Sequence, residues 1–160
     1  MLGLALGGSM AAQAAPPPQT AHHLQISVAD VDALAQWYVA KLGFKIVKRL
    51  RAGTAKIVWI DIPGFRLGLA QVAGSSRPAT NSLLPPRDAT VQGFRQIHFS
   101  VPSVDAAYAA LSAAGVRFVT EPTTYSAAAI RIATLVDPEG NLISLYQDLD
   151  PANALMPTRR

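Results

Sequence analysis

The feature that most constrains the fold of this chain is an internal repeat. Each half shows a short strand pattern, then a helix pattern, a glycine and three further strand patterns. Because each copy is too small to bury its own apolar face, we expect the two copies to pair. The sequence therefore predicts an α+β domain made of two tandem βαβββ units. The matching segments are residues 23–28 and 96–101, 30–33 and 103–106, 42–47 and 114–119, and 64–71 and 140–147.

The first strand of each unit alternates polar and apolar residues, so its two faces differ. The polar face carries His23 and Gln25 in the first unit, and Gln96 and His98 in the second. An apolar face must be covered by other elements, whereas a polar face suits contact with water or a ligand. We therefore expect the two polar faces to line a cavity that holds a small molecule.

The last strand of each unit adds further candidates to this cavity. Arg66 lies on the cavity face of strand 65–71, where a guanidinium suits a carboxylate or phosphate ligand. In the second unit Ser144 and Tyr146 project to the same side, and Tyr146 could bond to a ligand or stack on it. The alternatives stay open: Arg66 as a surface arginine on a sheet edge, and Tyr146 as a core residue.

Local signals set the expected boundaries within the chain. Asp30 is a helix cap and Gly43 a helix stop, which predicts a helix from residue 31 to about 42. Residues 72–93 contain glycines and prolines with little periodicity, which is typical of a linker or lid. The expected division is a leader and spacer at 1–19, a single domain at 20–150 and a tail at 151–160. Within the domain, unit one covers 20–71 and unit two covers 94–150.

The first nineteen residues resemble a targeting signal and spacer rather than part of the folded domain. An apolar run followed by Ala12-Gln13-Ala14 is typical of the end of a secretory signal peptide, and it is too short to span a membrane. Three prolines then form a stiff spacer. This predicts a periplasmic or secreted protein. The alternative is a leader with no targeting function, on a cytoplasmic protein.

The composition narrows the classes of partner. The chain has 14 basic and 10 acidic residues, a net charge of +4, and the excess appears spread along the sequence. No basic stripe is interleaved with aromatic residues, which argues against nucleic acid, and we expect no membrane partner. A mild preference for anionic small molecules is the more modest inference. The absence of cysteine excludes disulfides, thiolate nucleophiles and zinc–sulfur sites.

The chain resembles the vicinal oxygen chelate superfamily, which includes glyoxalase I, extradiol dioxygenases, and the bleomycin and fosfomycin resistance proteins. The resemblance covers roughly residues 21–148. Its most specific segments are Trp37-Tyr38 with Leu42-Gly43-Phe44, and the run Asp-Pro-Glu-Gly-Asn at 137–141. It implies two curved sheets that line one open cup, a small-molecule ligand and a possible homodimer.

The resemblance also implies where a metal would sit. Metal-using members hold one divalent ion through the first and last strand of each unit, positions that fall on His23, Gln96, Gly68 and Ser144 here. Gly68 has no side chain and Ser144 has a neutral hydroxyl where a carboxylate is expected, so the site looks degenerate. Two interpretations stay open: one Zn, Ni, Mn or Fe ion on His23 and Gln96, with His98 in reach, or no metal at all.

The leading hypothesis is a glyoxalase/bleomycin-resistance/dioxygenase-like protein that binds or transforms a small organic ligand. The alternative is a metal-dependent lyase of the lactoylglutathione lyase type, or a dioxygenase, that uses His23 with Gln96 or His98. A third hypothesis is an interaction module without a ligand. Candidate catalytic residues are His23 and His98; candidate ligand-binding residues are Gln25, Arg66, Gln96, Ser144 and Tyr146.

Overall fold

The structure, a computed structural model, describes residues 20–78, 83–90 and 92–153. The leader predicted at 1–19 and the tail from residue 154 lie outside this part. The strands are β1 (Leu24–Ser27), β2 (Lys45–Ala52), β3 (Ala55–Ile62), β4 (Phe65–Gln71), β5 (Gln96–Ser100), β6 (Phe118–Tyr125), β7 (Ile130–Val136) and β8 (Leu142–Asp148), and the helices are α1 (Val31–Leu42) and α2 (Val104–Ala113). Neither helix is long and apolar enough to cross a membrane.

The strands form two four-stranded sheets with the same topology. Their orders are β1-β4-β3-β2 and β5-β8-β7-β6. In each sheet the first strand is parallel to the last, and the other pairs are antiparallel. The helix of each unit connects the first strand to the second and packs on its own sheet. The predicted tandem βαβββ architecture is confirmed.

The first helix begins and ends where its sequence signals lie. The Asp30 carboxylate accepts hydrogen bonds of 3.0 Å from the backbone N–H groups of Asp32 and Ala33. Gly43 follows the last helical residue with a φ of 71°, a left-handed conformation that costs glycine little. The structure therefore confirms the bounds predicted for this helix.

The apolar core is shared between the two units. Leu67 and Leu69 of β4 are fully buried on the sheet face that packs against α1. Phe99 of β5 reaches across and meets Phe44 and Phe65 edge to face, with ring centroids 5.7 and 5.6 Å apart. One continuous cluster of buried side chains thus joins the units, as expected for halves too small to be stable alone.

A polar connection also holds the two units together. The Glu139 carboxylate accepts hydrogen bonds from the backbone N–H groups of Ala29, at 2.7 Å, and Asp30, at 2.9 Å. Nearby, the Tyr38 hydroxyl donates a 3.1 Å hydrogen bond to the buried carboxylate of Asp137. In the repeat, Pro63 stands where the second unit has Glu139. The first unit therefore has no counterpart of the Glu139 side chain at this position.

Candidate functional site

The structure brings the first-strand and last-strand candidates together in pairs. In the first unit, Gln25 is the register partner of Gly68, and a Cβ added to Gly68 would lie 3.0 Å from Cδ2 of His23. In the second unit, the Ser144 hydroxyl donates a 3.1 Å hydrogen bond to Oε1 of Gln96. Each pair thus joins one residue of a first strand to one of a last strand.

The pair in the second unit belongs to a closed hydrogen-bond network. Ser144 is completely buried, and its Oγ lies 3.0 Å from Oγ1 of the buried Thr134. Since a hydroxyl has one proton, and Ser144 gives it to Gln96, Thr134 is the donor to Ser144. Thr134 in turn uses its backbone N–H to bond to the Thr120 hydroxyl at 2.8 Å. The Gln96 oxygen and the Ser144 hydroxyl are therefore already engaged within the protein.

The donor groups at these positions do not fit a divalent metal ion. His23 supplies an imidazole whose Nδ1 lies 2.7 Å from Nδ1 of His22 and whose Nε2 lies 3.5 Å from the Gln25 oxygen. The other positions offer an amide, a hydroxyl and a bare glycine, with no carboxylate to balance the charge of the ion. Across residues 20–78, 83–90 and 92–153, no three histidine, aspartate or glutamate side chains converge as a metal site requires.

Arg66 lies on the open face of the first sheet but is already paired. Its Nε and Nη2 donate hydrogen bonds of 2.8 Å to the two carboxylate oxygens of Asp61, and its guanidinium lies 5.1 Å from the centre of the Trp59 ring. The Arg66 hydrogen bond holds the pKa of Asp61 below its usual value. An anionic ligand at Arg66 would have to compete with this bidentate ion pair.

His98 and Tyr146 lie side by side in the second unit. Their rings meet edge to face with centroids 6.1 Å apart. Loss of hydration lowers the pKa of the His98 imidazole, and the positive charge of Arg95 lowers it further. Desolvation raises the pKa of the Tyr146 phenol, to which the Asp148 carboxylate also contributes. At neutral pH both side chains are therefore uncharged hydrogen-bonding groups.

A cavity of about 470 Å³ lies between the first strands of the two units. Its wall combines residues of β1, the start of β5, the turn before β8 and the linker between the units. Of the residues predicted for the site, Gln25 and Gln96 line it. The other five, His23, Arg66, His98, Ser144 and Tyr146, lie outside this lining.

The sequence predicted a linker or lid at residues 72–93 but identified none of its residues as part of the site. Leu83 and Asp88 of this segment line the cavity, as does Phe94 just after it, which is 99% exposed. The turn at Glu139 and Asn141 closes another side. An aromatic and a basic residue immediately before the second repeat were the only signal in the sequence, and the linker's lack of periodicity concealed it.

The charged groups of the cavity balance one another. Arg95 forms an ion pair of 3.2 Å with the buried Asp88, and Arg77 donates a 3.0 Å hydrogen bond to Oδ1 of Asn141. The Glu139 carboxylate is bound by two backbone N–H groups of the first unit. With two cations and two carboxylates, the lining has no excess of positive charge. The anion preference inferred from the composition therefore finds no support in this cavity.

Comparison with known proteins is consistent with this architecture. The family model described as Glyoxalase/Bleomycin resistance protein/Dioxygenase superfamily matches residues 20–145. No curated protein sequence matches the chain significantly.

Solved structures of the same architecture share little sequence with the chain. A glyoxalase family protein from Bacillus cereus superposes with a TM-score of 0.67 at 19% identity, over 87% of this chain and 100% of that one. A glyoxylase/bleomycin resistance protein/dioxygenase domain from Frankia sp. EAN1pec superposes with a TM-score of 0.62 at 23% identity. The match covers 82% of this chain and 99% of that one. The trypanothione-dependent glyoxalase I of Leishmania major superposes with a TM-score of 0.58 at 20% identity. The match covers 79% of this chain and 84% of that one.

At these identities the solved structures establish the fold alone. The family model covers most of the chain, and the two βαβββ units meet as that architecture requires. The chain belongs to the glyoxalase/bleomycin resistance protein/dioxygenase superfamily.

Proposed function

We propose that this chain binds and sequesters a small organic molecule in the cavity between its two units, without a divalent metal. The observation that carries the proposal is the Ser144–Gln96 hydrogen bond, together with the bare backbone of Gly68. Gly68 and Ser144 occupy the two positions where the resemblance places a carboxylate in metal-using relatives. Lyase chemistry also needs a general base there, and neither glycine nor a serine that already donates its proton supplies one.

The cavity has the properties of a binding site for an uncharged or zwitterionic ligand. Its volume of about 470 Å³ lies in the range of small-molecule pockets. Apolar side chains of β1 and the linker, among them Ile26 and Leu83, line the cavity, and the Gln25 and Gln96 amides offer hydrogen bonds. Such a combination holds a ligand by shape and burial, with a few polar groups to orient it.

Metal content tests the first half of the proposal. The purified protein is expected to contain far less than one Zn, Ni, Mn or Fe ion per chain, because the donor set lacks a carboxylate. Elemental analysis by mass spectrometry, followed by calorimetric titration with Zn²⁺ and Ni²⁺, would measure this. His23→Ala is the control and should give the same result. One bound ion per chain that is lost in His23→Ala would instead establish the metalloenzyme alternative.

Blocking the cavity tests the second half. Ser27 lines the cavity and is exposed, and Ser100 occupies the matching position on β5 outside the lining. Ser27→Phe is expected to weaken binding of the uncharged dye N-phenyl-1-naphthylamine roughly tenfold or more, since the added ring fills the space for the ligand. Ser100→Phe should bind the dye as the wild type does. Dye fluorescence, titrated against each protein, measures both affinities.

A charged analogue of the dye checks the argument from charge balance. The sulfonate 8-anilino-1-naphthalenesulfonate has the same rings with one negative charge, and it should bind more weakly than the neutral dye. Equal losses in Ser27→Phe and Ser100→Phe would show that the dye does not report on this cavity. Tighter binding of the sulfonate would show that the cavity attracts anions despite its paired charges.

A further inference from the structure

We propose that the protein has a second binding site, for ligands with clustered phosphate groups, in the groove between the first turn of α1 and the β2–β3 hairpin. This hairpin carries an unusual share of the chain's positive charge. Residues 45–56 contain five of the 14 basic residues and none of the 10 acidic ones. The rest of the chain then has nine basic and ten acidic residues. The positive excess is therefore concentrated in one hairpin, and the interpretation that it is spread along the sequence was wrong.

The fold gathers part of this charge in a groove of about 430 Å³. Arg51 on β2 and Lys56 on β3 are register partners, and Arg49 lies opposite Val58. Because side chains two residues apart on a strand share a face, these three cations lie on the helix side of the sheet. The buried side chains of Val31 and Val58 belong to the groove's apolar wall.

The groove retains positive charge after its internal ion pair is counted. Arg49 forms an ion pair with Asp32, the one carboxylate of the groove. Among the residues that the structure describes, Arg51 and Lys56 have no carboxylate within ion-pair distance. A guanidinium fork beside an ammonium group suits an anion with several oxygens and more than one charge.

A purely protective role for these cations does not explain their arrangement. Charged residues on an edge strand prevent pairing with other strands, and β2 is one of the two edge strands of its sheet. Lys56, however, lies on β3, an inner strand, and turns to the same groove as Arg51. Lys48 provides the contrast: it lies on β2 outside the groove, with its ammonium 5.1 Å from the centre of the Trp59 ring.

Calorimetric titration with tripolyphosphate at low salt tests the site. The double variant Arg51→Gln/Lys56→Gln is expected to bind roughly tenfold or more weakly, since each lost charge-assisted hydrogen bond is worth about that factor. The matched control, Lys45→Gln/Lys48→Gln, removes the same charge from the same hairpin outside the groove. It should retain affinity within a few-fold. Equal losses in both variants, or no binding by the wild type, would overturn the proposal.

One substitution, Asp32→Asn, is expected to strengthen tripolyphosphate binding rather than weaken it. Asp32→Asn removes the negative charge of the groove and releases Arg49, so tripolyphosphate should bind several-fold more tightly. Asp32 is exposed and does not cap α1, because Asp30 does. Weaker binding by Asp32→Asn would contradict a phosphate site that uses Arg49.

The phosphate groups could come from a soluble molecule or from a lipid headgroup, and vesicles distinguish the two sources. Vesicles of phosphatidylcholine with phosphatidic acid that bind the wild type but not Arg51→Gln/Lys56→Gln would point to a headgroup. Binding of tripolyphosphate without binding of vesicles would point to a soluble ligand. Binding of duplex DNA more tightly than either would overturn the site, since the groove would then be part of a general polyanion surface.

Discussion

Replacement of Asp137 by alanine is expected to lower the free energy of unfolding by about 3 kcal/mol or more, because it removes several buried hydrogen bonds at once. The Asp137 carboxylate is 3% exposed. It accepts hydrogen bonds from the backbone N–H groups of Glu139, at 3.0 Å, and Asn141, at 2.8 Å. The Asn141 side-chain amide, at 2.7 Å, and the Tyr38 hydroxyl, at 3.1 Å, donate two further hydrogen bonds to this carboxylate. Guanidinium unfolding monitored by circular dichroism measures the change.

Tyr38→Phe is the matched control for this prediction. It removes one of the four hydrogen bonds and keeps the ring, so it should cost only about 1 kcal/mol. Burial raises the pKa of the Asp137 carboxyl, and the hydrogen bonds that surround it partly offset this effect. If Asp137→Ala were no more destabilising than Tyr38→Phe, the turn before β8 would not depend on this carboxylate.

Replacement of Ser144 by glutamate is expected to cost about 3 kcal/mol or more, since it places an unpaired carboxylate in a closed site. Ser144 is completely buried, and its neighbours Thr134 and Gln96 already satisfy its hydroxyl. The two side chains that bond to the Ser144 hydroxyl, those of Thr134 and Gln96, are both uncharged. Thermal unfolding in metal-free buffer at neutral pH measures the loss.

The corresponding position in the first unit should tolerate change better. A Cβ at Gly68 would lie 3.0 Å from the exposed His23 ring, which can move away, so Gly68→Ala should cost less than about 1 kcal/mol. A Ser144→Glu variant as stable as the wild type would mean that water reaches this site. The site would then be open enough for the ion that the proposed function omits.

The sequence predicted those parts of the fold that depend on local signals. Asp30 and Gly43 determine the ends of α1 through the hydrogen bonds and left-handed backbone of the two caps, which are properties of a few neighbouring residues. Strand β4 also lies where its alternating pattern placed it, at Phe65–Gln71. The repeat supplied the long-range information, because two similar units must bury their apolar faces against each other.

The sequence predicted a cavity beside the two first strands but not most of its lining, since that lining depends on contacts between distant segments. The alternating pattern of β4 shows on which face of the sheet Arg66 lies. Only the folded sheet, however, brings Asp61, its register partner on β3, into contact with it. The linker shows no periodicity, and the Asp88–Arg95 ion pair that orients it has no local signature. The basic groove was hidden for the same reason, because Arg51 and Lys56 become neighbours only across the hairpin.

Two of the four edge strands, β2 and β6, have a consequence for the behaviour of concentrated protein. Strand β2 carries cations along its length and a break in register after Ile46, and β6 contains Glu121, Pro122 and two breaks in register. Charge, proline and irregular pairing all prevent an edge from recruiting a strand of another molecule. These two edges therefore resist aggregation through strand pairing. On β2, the residues that provide this resistance include those that would hold phosphate.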